Sequence, residues 1–547
     1  MKEYLKKISL VLATCTFLFS CDKFLEENPK DKLPEDDVYN SISEVYLNAV
    51  ASLYTYVGGY SDSQGLQGTG RGVYDLNTFT TDEAIIPTRG GDWYDGGFWQ
   101  GLFLHDWGIE NDAIQATWEY LYKVVMLSNK SLERIDKFAE THSDAELPAY
   151  RAEVRAMRAM YYYYLLDLFG RVPLVQSSSP AMKDVVQSER KTVFEFIFKE
   201  LQEVAPLLSE VHSNQSGPYY GRITRPVVTF LLAKLALNAE VYTDNDWTDN
   251  ERPDGKNIKF MVDGNELNAW ETVIYYCDQL KVMNYKLEPE YETNFSIFNE
   301  PSVENIFTIP MNKTLYTNQM QYLFRSRHYN HAKAYGLSGE NGPSATIEAL
   351  ETFGYGTAAQ DPRFDICYFA GEMYDLKGDI IKLDDGTVLV YFPWEVALDI
   401  TDTPYEQTAG ARMKKYEVDP TATKDGKLME NDIVLFRYAD ALLMKSEAKA
   451  RNGENGDVEL NQVRSRVKAA RRPATLENIL SERQLELALG GLEASGPYPL
   501  RNVYSCIQQP SSITKRGNRL YYRIPYSREN TGDEYKASTE SGVLSGF

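Results

Sequence analysis

Pairs of carboxylates are the residues in this sequence whose types and spacing come nearest to catalysis. Asp82-Glu83, Asp92 with Asp95, and Asp384-Asp385 each place two acids close together along the chain. A glycosidase needs two carboxylates that flank one bond in space, but an acidic chain contains such pairs by chance. The sequence has no G-x-S-x-G, H-E-x-x-H or P-loop lysine motif. No catalytic residue is therefore predicted, and the protein is not expected to be an enzyme.

Residues 90–99, which read GGDWYDGGFW, indicate binding chemistry instead. Four glycines, two aspartates and four aromatic residues stand in ten positions, which favours a loop over a helix or a strand. A large aromatic residue in a glycine-flanked loop either packs beneath that loop or faces a ligand. Both interpretations stay open for Trp93 and Tyr94. Trp99 is predicted to be a core residue, because apolar residues 102–104 follow it.

The cysteines and histidines form no recognisable metal or disulfide pattern. The five cysteines include no C-x-x-C pair, and the five histidines are scattered apart from His328 and His331. That HYNH stretch has no acid between its histidines and no evident third ligand. It is interpreted as a surface or loop feature, and neither a metal nor a cofactor is predicted.

The composition is that of a globular chain with a strong negative charge. The 547 residues are 43% hydrophobic and carry a net charge of −22, with a pI near 4.9. A phosphate backbone would be repelled by this charge, so nucleic acid is excluded as an expected partner. The 39 tyrosines suit either helix packing or ligands that have both apolar and polar faces.

The first 21 residues read as an export signal with a lipid attachment site. Three lysines precede the short apolar run 8–19, which is too short to span a bilayer as a helix. Leu18-Phe19-Ser20-Cys21 resembles a bacterial lipobox, so residues 1–20 are predicted to be a signal peptide and Cys21 to carry lipid. Several acyl chains anchor a protein stably where one does not. The acidic residues just after Cys21 resemble the signal that sends Bacteroidetes lipoproteins to the outer face of the outer membrane.

Helical periodicity dominates the elements that must position the loop. Helices are predicted over the following ranges: 43–56, 111–138, 147–169, 192–208, 226–242, 268–283, 432–451 and 475–489. Leu231–Tyr242 and Leu442–Gly453 share a Leu-Leu-x-Lys start and later alanines, which weakly favours tetratricopeptide-like (TPR-like) helix pairs. Residues 243–431 are instead rich in Asp, Asn, Gly and Pro, with short extended runs such as TVLVYF. They are interpreted as a loop-rich insertion with little β-structure, a common place for a binding function.

Several ordered segments together resemble the SusD/RagB-like outer-membrane lipoproteins of Bacteroidetes. These are CDKFLEENP, TTDEAIIPTRGGDWYDGGFW, YRAEVRAMRAMYYYYLLDLFGRVPLV, GRITRPVVTFLLAKLALNAEVY, NDIVLFRYADALLMKSEAKARNG, LNQVRSRV and ILSERQLELAL. The resemblance implies a mainly α fold, with about four TPR-like helix pairs as a scaffold and variable loops that carry the ligand site. It also implies non-catalytic capture of an oligosaccharide or polysaccharide and its delivery to a SusC-like TonB-dependent transporter.

The resemblance divides the chain into regions. Residues 21–242 are expected to form the N-terminal helical region with the ligand-site loops, followed by the 243–431 insertion. Residues 432–489 carry the C-terminal helical signature. After Leu489 the chain departs from the family pattern, so residues 490–547 are interpreted as a divergent or frameshifted tail.

The site residues are selected for sugar chemistry, since no family motif fixes them. A sugar ring stacks its C–H face on indole and bonds its hydroxyls to Asp and Arg. The predicted ligand-binding residues are Trp93 as the platform, with Asp92, Tyr94, Arg89, Asp75, Asp82, Arg363 and Tyr391. For Arg363 and Tyr391 a purely structural role is the favoured alternative, and for Arg363 that role is an ion pair.

Rival functions remain open at this point. A RagB-like relative would capture peptide in place of glycan. A surface glycoside hydrolase is a further alternative, which the missing catalytic motifs disfavour.

Overall fold

The computed structural model describes residues 39–59, 65–67, 71–108, 111–246, 251–314, 325–423, 426 and 428–490, together with two backbone strands in the tail. The predicted signal peptide and the lipid-bearing Cys21 lie outside the described residues. So does most of the 490–547 tail.

The protein is mainly α-helical. The α-helices are α1 Ile42–Val45, α2 Ser52–Gly58, α3 Val73–Thr78, α4 Phe98–Leu104, α5 Asp112–Ala139, α6 Leu147–Phe169, α7 Arg190–Val204, α8 Arg225–Leu237, α9 Ala239–Tyr242, α10 Ala269–Val282, α11 Tyr329–Ala334, α12 Ile347–Phe353, α13 Phe364–Cys367, α14 Tyr438–Asn452, α15 Asp457–Arg466 and α16 Leu476–Leu487. A π-helical turn, Tyr46–Ala51, joins α1 to α2. Short 3₁₀ helices occupy Asp95–Gly97, Met182–Asp184, Ala205–Leu207, Tyr291–Phe295 and Pro393–Glu395.

Local sequence signals explain where the long helices begin and end. The Asn111 side chain accepts from the backbone N–H groups of residues 113 and 114, both at 3.1 Å, and so caps α5. Asn268 and Glu271 form a capping box at the start of α10. Gly170 ends α6 with a positive φ of 69°, a conformation that glycine adopts without steric cost.

Eight helices of ten or more residues form the scaffold in the described part of the chain. In chain order they pair as α5 with α6, α7 with α8, α10 with α14, and α15 with α16. Neighbouring pairs also pack on each other, since α6 contacts α7, α8 contacts α10, and α14 contacts α15 and α16. One large hydrophobic core runs through all of them, with the four tyrosines 161–164 of α6 fully buried. The helix-pair scaffold predicted from the sequence is confirmed.

Strands are short and pair antiparallel. They are β1 Ala84–Ile85, β2 Val172–Pro173, β3 Gln187–Ser188, β4 Lys259–Val262, β5 Asn265–Asn268, β6 Asn305–Ile309, β7 Ser344–Ala345, β8 Tyr368–Phe369, β9 Gly371–Glu372, β10 Val390–Tyr391, β11 Arg412–Met413, β12 Ile433–Arg437, β13 Ile513–Arg516 and β14 Arg519–Tyr522. The described pairs are β1–β7, β2–β3, β4–β5, β6–β12, β8–β11, β9–β10 and β13–β14. The little β-structure expected for the insertion is thereby confirmed.

One predicted helix begins too early. The sequence placed residues 432–451 in a helix, but Ile433–Arg437 is strand β12, fully buried and paired with β6. The run IVLFR contains two β-branched residues and an aromatic residue, which favour a strand. The helix itself begins only at Tyr438. The helical signature of the sequence therefore mixes a buried strand with a helix.

Two smaller hydrophobic clusters of described residues lie outside the main core. Phe79, Ala84, Ile86, Trp99 and Leu102 pack together beneath the glycine-rich loop. A second cluster within the insertion consists of Met373, Ile381, Leu389 and Tyr391. Within the described residues, no helix is long and apolar enough to cross a membrane.

Candidate functional site

The glycine-rich loop folds into a tight turn that places Asp92, Trp93 and Tyr94 in a row. Arg89 and Asp92 exchange backbone hydrogen bonds of 3.0 Å in both directions, closing the turn. Gly90 adopts a φ of 62°, and a Cβ there would stand 2.6 Å from Oε1 of Glu406. The positive φ is what favours glycine at position 90, since the Glu406 carboxylate ends a flexible side chain that can move aside.

Trp93 is fixed by several contacts and remains partly exposed. Its indole Nε1 donates to the Glu340 carbonyl at 2.8 Å, and its ring meets Trp99 edge-on with centroids 5.9 Å apart. The ring also lies against Gly342, where a Cβ would approach indole Cζ2 to 2.6 Å. A polar group that fixes a partly exposed indole makes a preorganised stacking surface.

Asp92 and Tyr329 form the polar part of the same surface. The Tyr329 hydroxyl donates to Oδ2 of Asp92 at 2.9 Å. Burial, together with this hydrogen bond to a carboxylate, raises the pKa of Tyr329 to about 12, so it stays a neutral donor. Tyr94 is 58% exposed and Tyr329 43% exposed. Asp92, Trp93, Tyr94 and Tyr329 are called the loop site below.

Arg89 lies beneath the loop site and touches no solvent-facing surface. It is 1% exposed and donates to the carbonyls of residues 406 and 409, at 3.0 and 2.9 Å, and to Oγ of Ser344 at 2.9 Å. Arg412 donates to the same Oγ at 2.7 Å and to Oδ1 of Asn341 at 2.8 Å. These two arginines fasten the loops 341–344 and 406–409 against the glycine-rich turn. Arg89 therefore positions the loop site from below.

Tyr391 also lies beneath this surface and is 1% exposed. Its hydroxyl accepts from the His328 backbone N–H at 2.9 Å and lies 3.0 Å from Nδ1 of His331. The Arg412 guanidinium lies 4.9 Å from its ring centroid. Both histidines are buried, so the interpretation of HYNH as a surface feature is wrong. Among the described residues, no group of three metal-ligating side chains comes together.

Asp75 and Asp82 do not belong to the exposed loop site. Asp75 is fully buried and pairs with Nη2 of Arg325 at 2.6 Å, while it accepts from the Arg71 backbone N–H at 2.7 Å. Burial is the main cause that raises its pKa. Asp82 is partly exposed, and its backbone carbonyl accepts from the Thr346 hydroxyl. Both residues fix segments next to the loop site.

Arg363 lies in a separate buried network of ion pairs. Its nitrogens stand 2.8 Å from carboxylates of Asp361, Glu482 and Glu486, and its side chain is fully buried. Glu486 in turn pairs with Arg437 and Arg466. This geometry supports the structural alternative for Arg363, which joins the insertion to α16.

Several residues of the site escaped prediction because they come from distant parts of the chain. Tyr329, Glu340 and Arg412 meet the loop only in the folded state, and no local motif marks them.

Arg71 lies 4.3 Å from the Phe98 ring centroid and 3.2 Å from Oδ2 of Asp95, which also accepts from Nε1 of Trp99. Trp99 itself is 3% exposed, as the sequence predicts.

Comparison with known proteins decides the family. A family model described as "Starch-binding associating with outer membrane" matches residues 23–237, and one described as "SusD family" matches residues 303–491. The chain belongs to the SusD/RagB-like family. The second match ends close to Leu489, where the sequence departs from the family pattern.

Named relatives and solved structures are similar over most of their length. "Starch-binding protein SusD" of Bacteroides thetaiotaomicron is 24% identical over 456 residues, which are 79% of this chain and 77% of that protein. A SusD-like protein of Bacteroides ovatus is 23% identical, over 91% of this chain and 83% of its own. A SusD-like carbohydrate binding protein from Bacteroides fragilis has a TM-score of 0.65 at 18% identity, covering 92% of this chain and 99% of that one.

A glycan complex is among the similar structures. Surface glycan-binding protein A from Bacteroides thetaiotaomicron, solved with laminarihexaose, has a TM-score of 0.61 at 17% identity and covers 83% of this chain and 89% of that one. At this identity the likeness shows a shared fold. Proteins of this family are associated with the outer membrane.

Proposed function

We propose that this protein is a non-catalytic glycan-binding lipoprotein of the outer cell surface, which captures oligosaccharide or polysaccharide and delivers it to a SusC-like TonB-dependent transporter. The observation that carries the proposal is the loop site, where a fixed, partly exposed indole lies beside an exposed aspartate and two exposed tyrosines. Indole and phenol rings stack on sugar C–H faces, and the carboxylate and hydroxyl bond sugar hydroxyls.

The names of the relatives support carbohydrate as the ligand class. Similar proteins are named for binding starch, laminarin and surface glycans. They are named as binding proteins, which fits the absence of a catalytic motif from this sequence. Anchoring through lipidated Cys21, with the chain facing the exterior, is part of the proposal and rests on the lipobox.

Native affinity electrophoresis tests the ligand. The protein from Asp22 onward is run through gels cast with a panel of plant, microbial and host glycans, with Trp93→Ala alongside. Retardation by at least one glycan, lost in Trp93→Ala, is expected. Phe298→Ala is the matched control, since Phe298 is an exposed aromatic residue outside the loop site, and it should migrate like the unchanged protein.

Other outcomes would redirect the proposal. Retardation that survives in Trp93→Ala would keep glycan capture and move the site elsewhere. No retardation by any glycan, combined with binding of peptides, would favour the RagB-like alternative. The release of new reducing ends from any polysaccharide by the pure protein would overturn the non-enzymatic assignment.

The anchor and the transporter need separate tests. Cys21→Ala should move the protein from the outer-membrane fraction to a soluble fraction, because the acyl chains supply the anchoring free energy. Co-purification of the lipid-anchored protein with a SusC-like barrel from detergent-solubilised membranes is the expected sign of the partnership. Its absence after gentle solubilisation would count against delivery to such a transporter.

A further inference from the structure

A second concave surface lies on the helical scaffold. Helices α7, α8 and α10 and the β4–β5 hairpin enclose an open cavity of about 870 Å³, called the helical groove here. This volume falls within the range of small-molecule sites. The groove shares no lining residue with the loop site, so it would bind a ligand independently.

Four side-chain amides contribute to the polar lining of the helical groove. Gln202, Gln215, Gln279 and Asn284 all face it. Gln202 donates from Nε2 to the Met261 carbonyl at 2.8 Å and to the Tyr276 hydroxyl at 3.2 Å. The side chains of Gln279 and Asn284 make no hydrogen bond to any other described residue. An amide both donates and accepts, which matches the dual character of a sugar hydroxyl.

The charged groups of the groove are already paired within the protein. Glu203 binds Arg155 at 2.5 Å, and Glu210 binds Arg225, whose other nitrogens donate to the carbonyls of Ala205 and Pro206. Asp263 accepts from the Tyr275 hydroxyl. Three of the four charged lining side chains are thus ion-paired to described residues, and the fourth, Asp263, is hydrogen-bonded to a hydroxyl. This lining favours a neutral ligand, whose hydroxyls can bond a carboxylate, over an anion.

Apolar surface completes the chemistry. Met261 is 60% exposed and Val282 72% exposed, and both line the groove beside the partly exposed ring of Tyr275. Exposed apolar side chains next to an aromatic ring and free amides give a surface that packs the C–H faces of sugar rings and bonds their hydroxyls.

We infer that the helical groove is a second glycan-binding site, which takes a short neutral oligosaccharide. The ligand class rests on the proposed function, whereas the site rests on the lining chemistry alone. Two sites on one anchored chain hold a long polysaccharide by avidity, because the second contact forms at a high effective concentration. A polysaccharide that contacts both sites should therefore stay bound at the cell surface longer than a short fragment that contacts one.

Calorimetric titration tests the inference with four neutral probes: laminarihexaose, maltohexaose, cellohexaose and mannohexaose. The protein from Asp22 onward should bind at least one of them at two sites per chain. Trp93→Ala should lose the loop site and keep the groove site, so that it binds at one site per chain. Tyr275→Ala and Gln279→Met should each weaken the groove site by roughly tenfold, about the worth of one aromatic or hydrogen-bond contact.

Lys281→Ala is the matched control, because Lys281 is an exposed residue of the same helix that does not line the groove. It should bind like the unchanged protein. Melting temperatures of all variants show whether each is folded, and Gln279→Met keeps the test valid if Tyr275→Ala does not fold.

The two proposals fail in distinguishable ways. One site per chain that Trp93→Ala abolishes, with affinity unchanged in both groove variants, would overturn the inference and leave the proposed function standing. One site that the groove variants abolish and Trp93→Ala preserves would support the groove and overturn the loop site. No binding of any of these probes by the unchanged protein would overturn the groove as a site for short neutral oligosaccharides, while the glycan gels decide the proposed function separately.

Discussion

Arg89 and Arg412 donate to the same oxygen, the Ser344 hydroxyl, at 2.9 and 2.7 Å. Both guanidinium groups are buried, and no carboxylate among the described residues pairs with either of them. Burial, followed by repulsion from Arg412, holds the pKa of Arg89 well below its usual range. Burial lowers the pKa of Arg412 to about 10. Backbone carbonyls, the Ser344 hydroxyl and the Asn341 side-chain oxygen accept hydrogen bonds from these two like charges and offset part of the cost of their burial.

We therefore expect Arg89→Met to weaken glycan binding by at least roughly tenfold. The substitution leaves the carbonyls of residues 406 and 409 without the Arg89 donor, at about 1–3 kcal/mol for each unsatisfied group. The Ser344 hydroxyl keeps its hydrogen bond from Arg412. Faster backbone hydrogen exchange in residues 340–344 and 401–410 would show that the loops have loosened. Arg89→Lys keeps the charge but cannot reach all three acceptors, so it should resemble Arg89→Met. Unchanged exchange and affinity in both variants would contradict the positioning role.

Arg363→Met separates a structural from a ligand-binding role for this residue. Removing the guanidinium group leaves Asp361, Glu482 and Glu486 without the cation that they share. The free energy of unfolding should therefore fall by about 3–5 kcal/mol. The folded fraction should bind glycan as before. Arg151→Met, which breaks an exposed pair with Asp136, should change stability by no more than about 1 kcal/mol. Loss of affinity in a fully folded Arg363→Met protein would restore Arg363 to the binding site.

Residues 147–169 show how much of this fold follows from sequence. The predicted helix has the observed bounds, because Pro148 suits the first turn and Gly170 suits the end. The site is less predictable. GGDWYDGGFW marks the turn, but Tyr329 reaches Asp92 from 237 positions away and Arg412 reaches Ser344 from 68 positions away. Contacts of that separation depend on packing, which no local pattern encodes. Arg89 and Tyr391 have side chains suited to binding, but both are buried, and their hydrogen bonds hold the loops beneath the loop site in place.

His331 should make the protein sensitive to acid. Burial and the nearby positive charge of Arg327 lower its pKa from 6.5 to about 3. Because the folded-state pKa lies below the unfolded one, this contribution to stability is present above about pH 6.5 and is lost as pH falls towards 3. The loss is about 1.4 kcal/mol per pH unit. His331→Gln should therefore flatten the decline in urea midpoint between pH 6.5 and 4.5. An unchanged slope would contradict the assignment.

Asp432 should make the protein less stable as pH rises, the opposite of the effect of His331. Burial raises the pKa of this carboxyl to about 7, although it accepts hydrogen bonds from the Tyr220 hydroxyl at 2.6 Å and the Met311 N–H at 2.8 Å. A folded-state pKa above the unfolded value of 3.8 means that this contribution is present below about pH 4 and lost as pH rises to 7. Asp432→Asn should remove this loss. The urea midpoint of the variant should therefore fall less between pH 5 and 8 than the urea midpoint of the unchanged protein. Asp136→Asn, an exposed carboxyl, is the matched control.

Gly342 and Gly91 offer a matched pair that tests whether the position of the Trp93 indole governs binding. An added Cβ at Gly342 would stand 2.6 Å from Cζ2 and 2.7 Å from Cε2 of Trp93, closer than two carbon atoms approach, so the rigid ring must move. An added Cβ at Gly91 meets nothing within 4 Å, and Gly91 does not have a positive φ. Gly342→Ala should therefore lose glycan affinity while Gly91→Ala keeps it. Tryptophan fluorescence should report the displaced indole in the first variant alone. Because neither substitution removes a functional group, equal affinity in the two variants would mean that the orientation of Trp93 does not matter, and the stacking platform would have to be sought elsewhere.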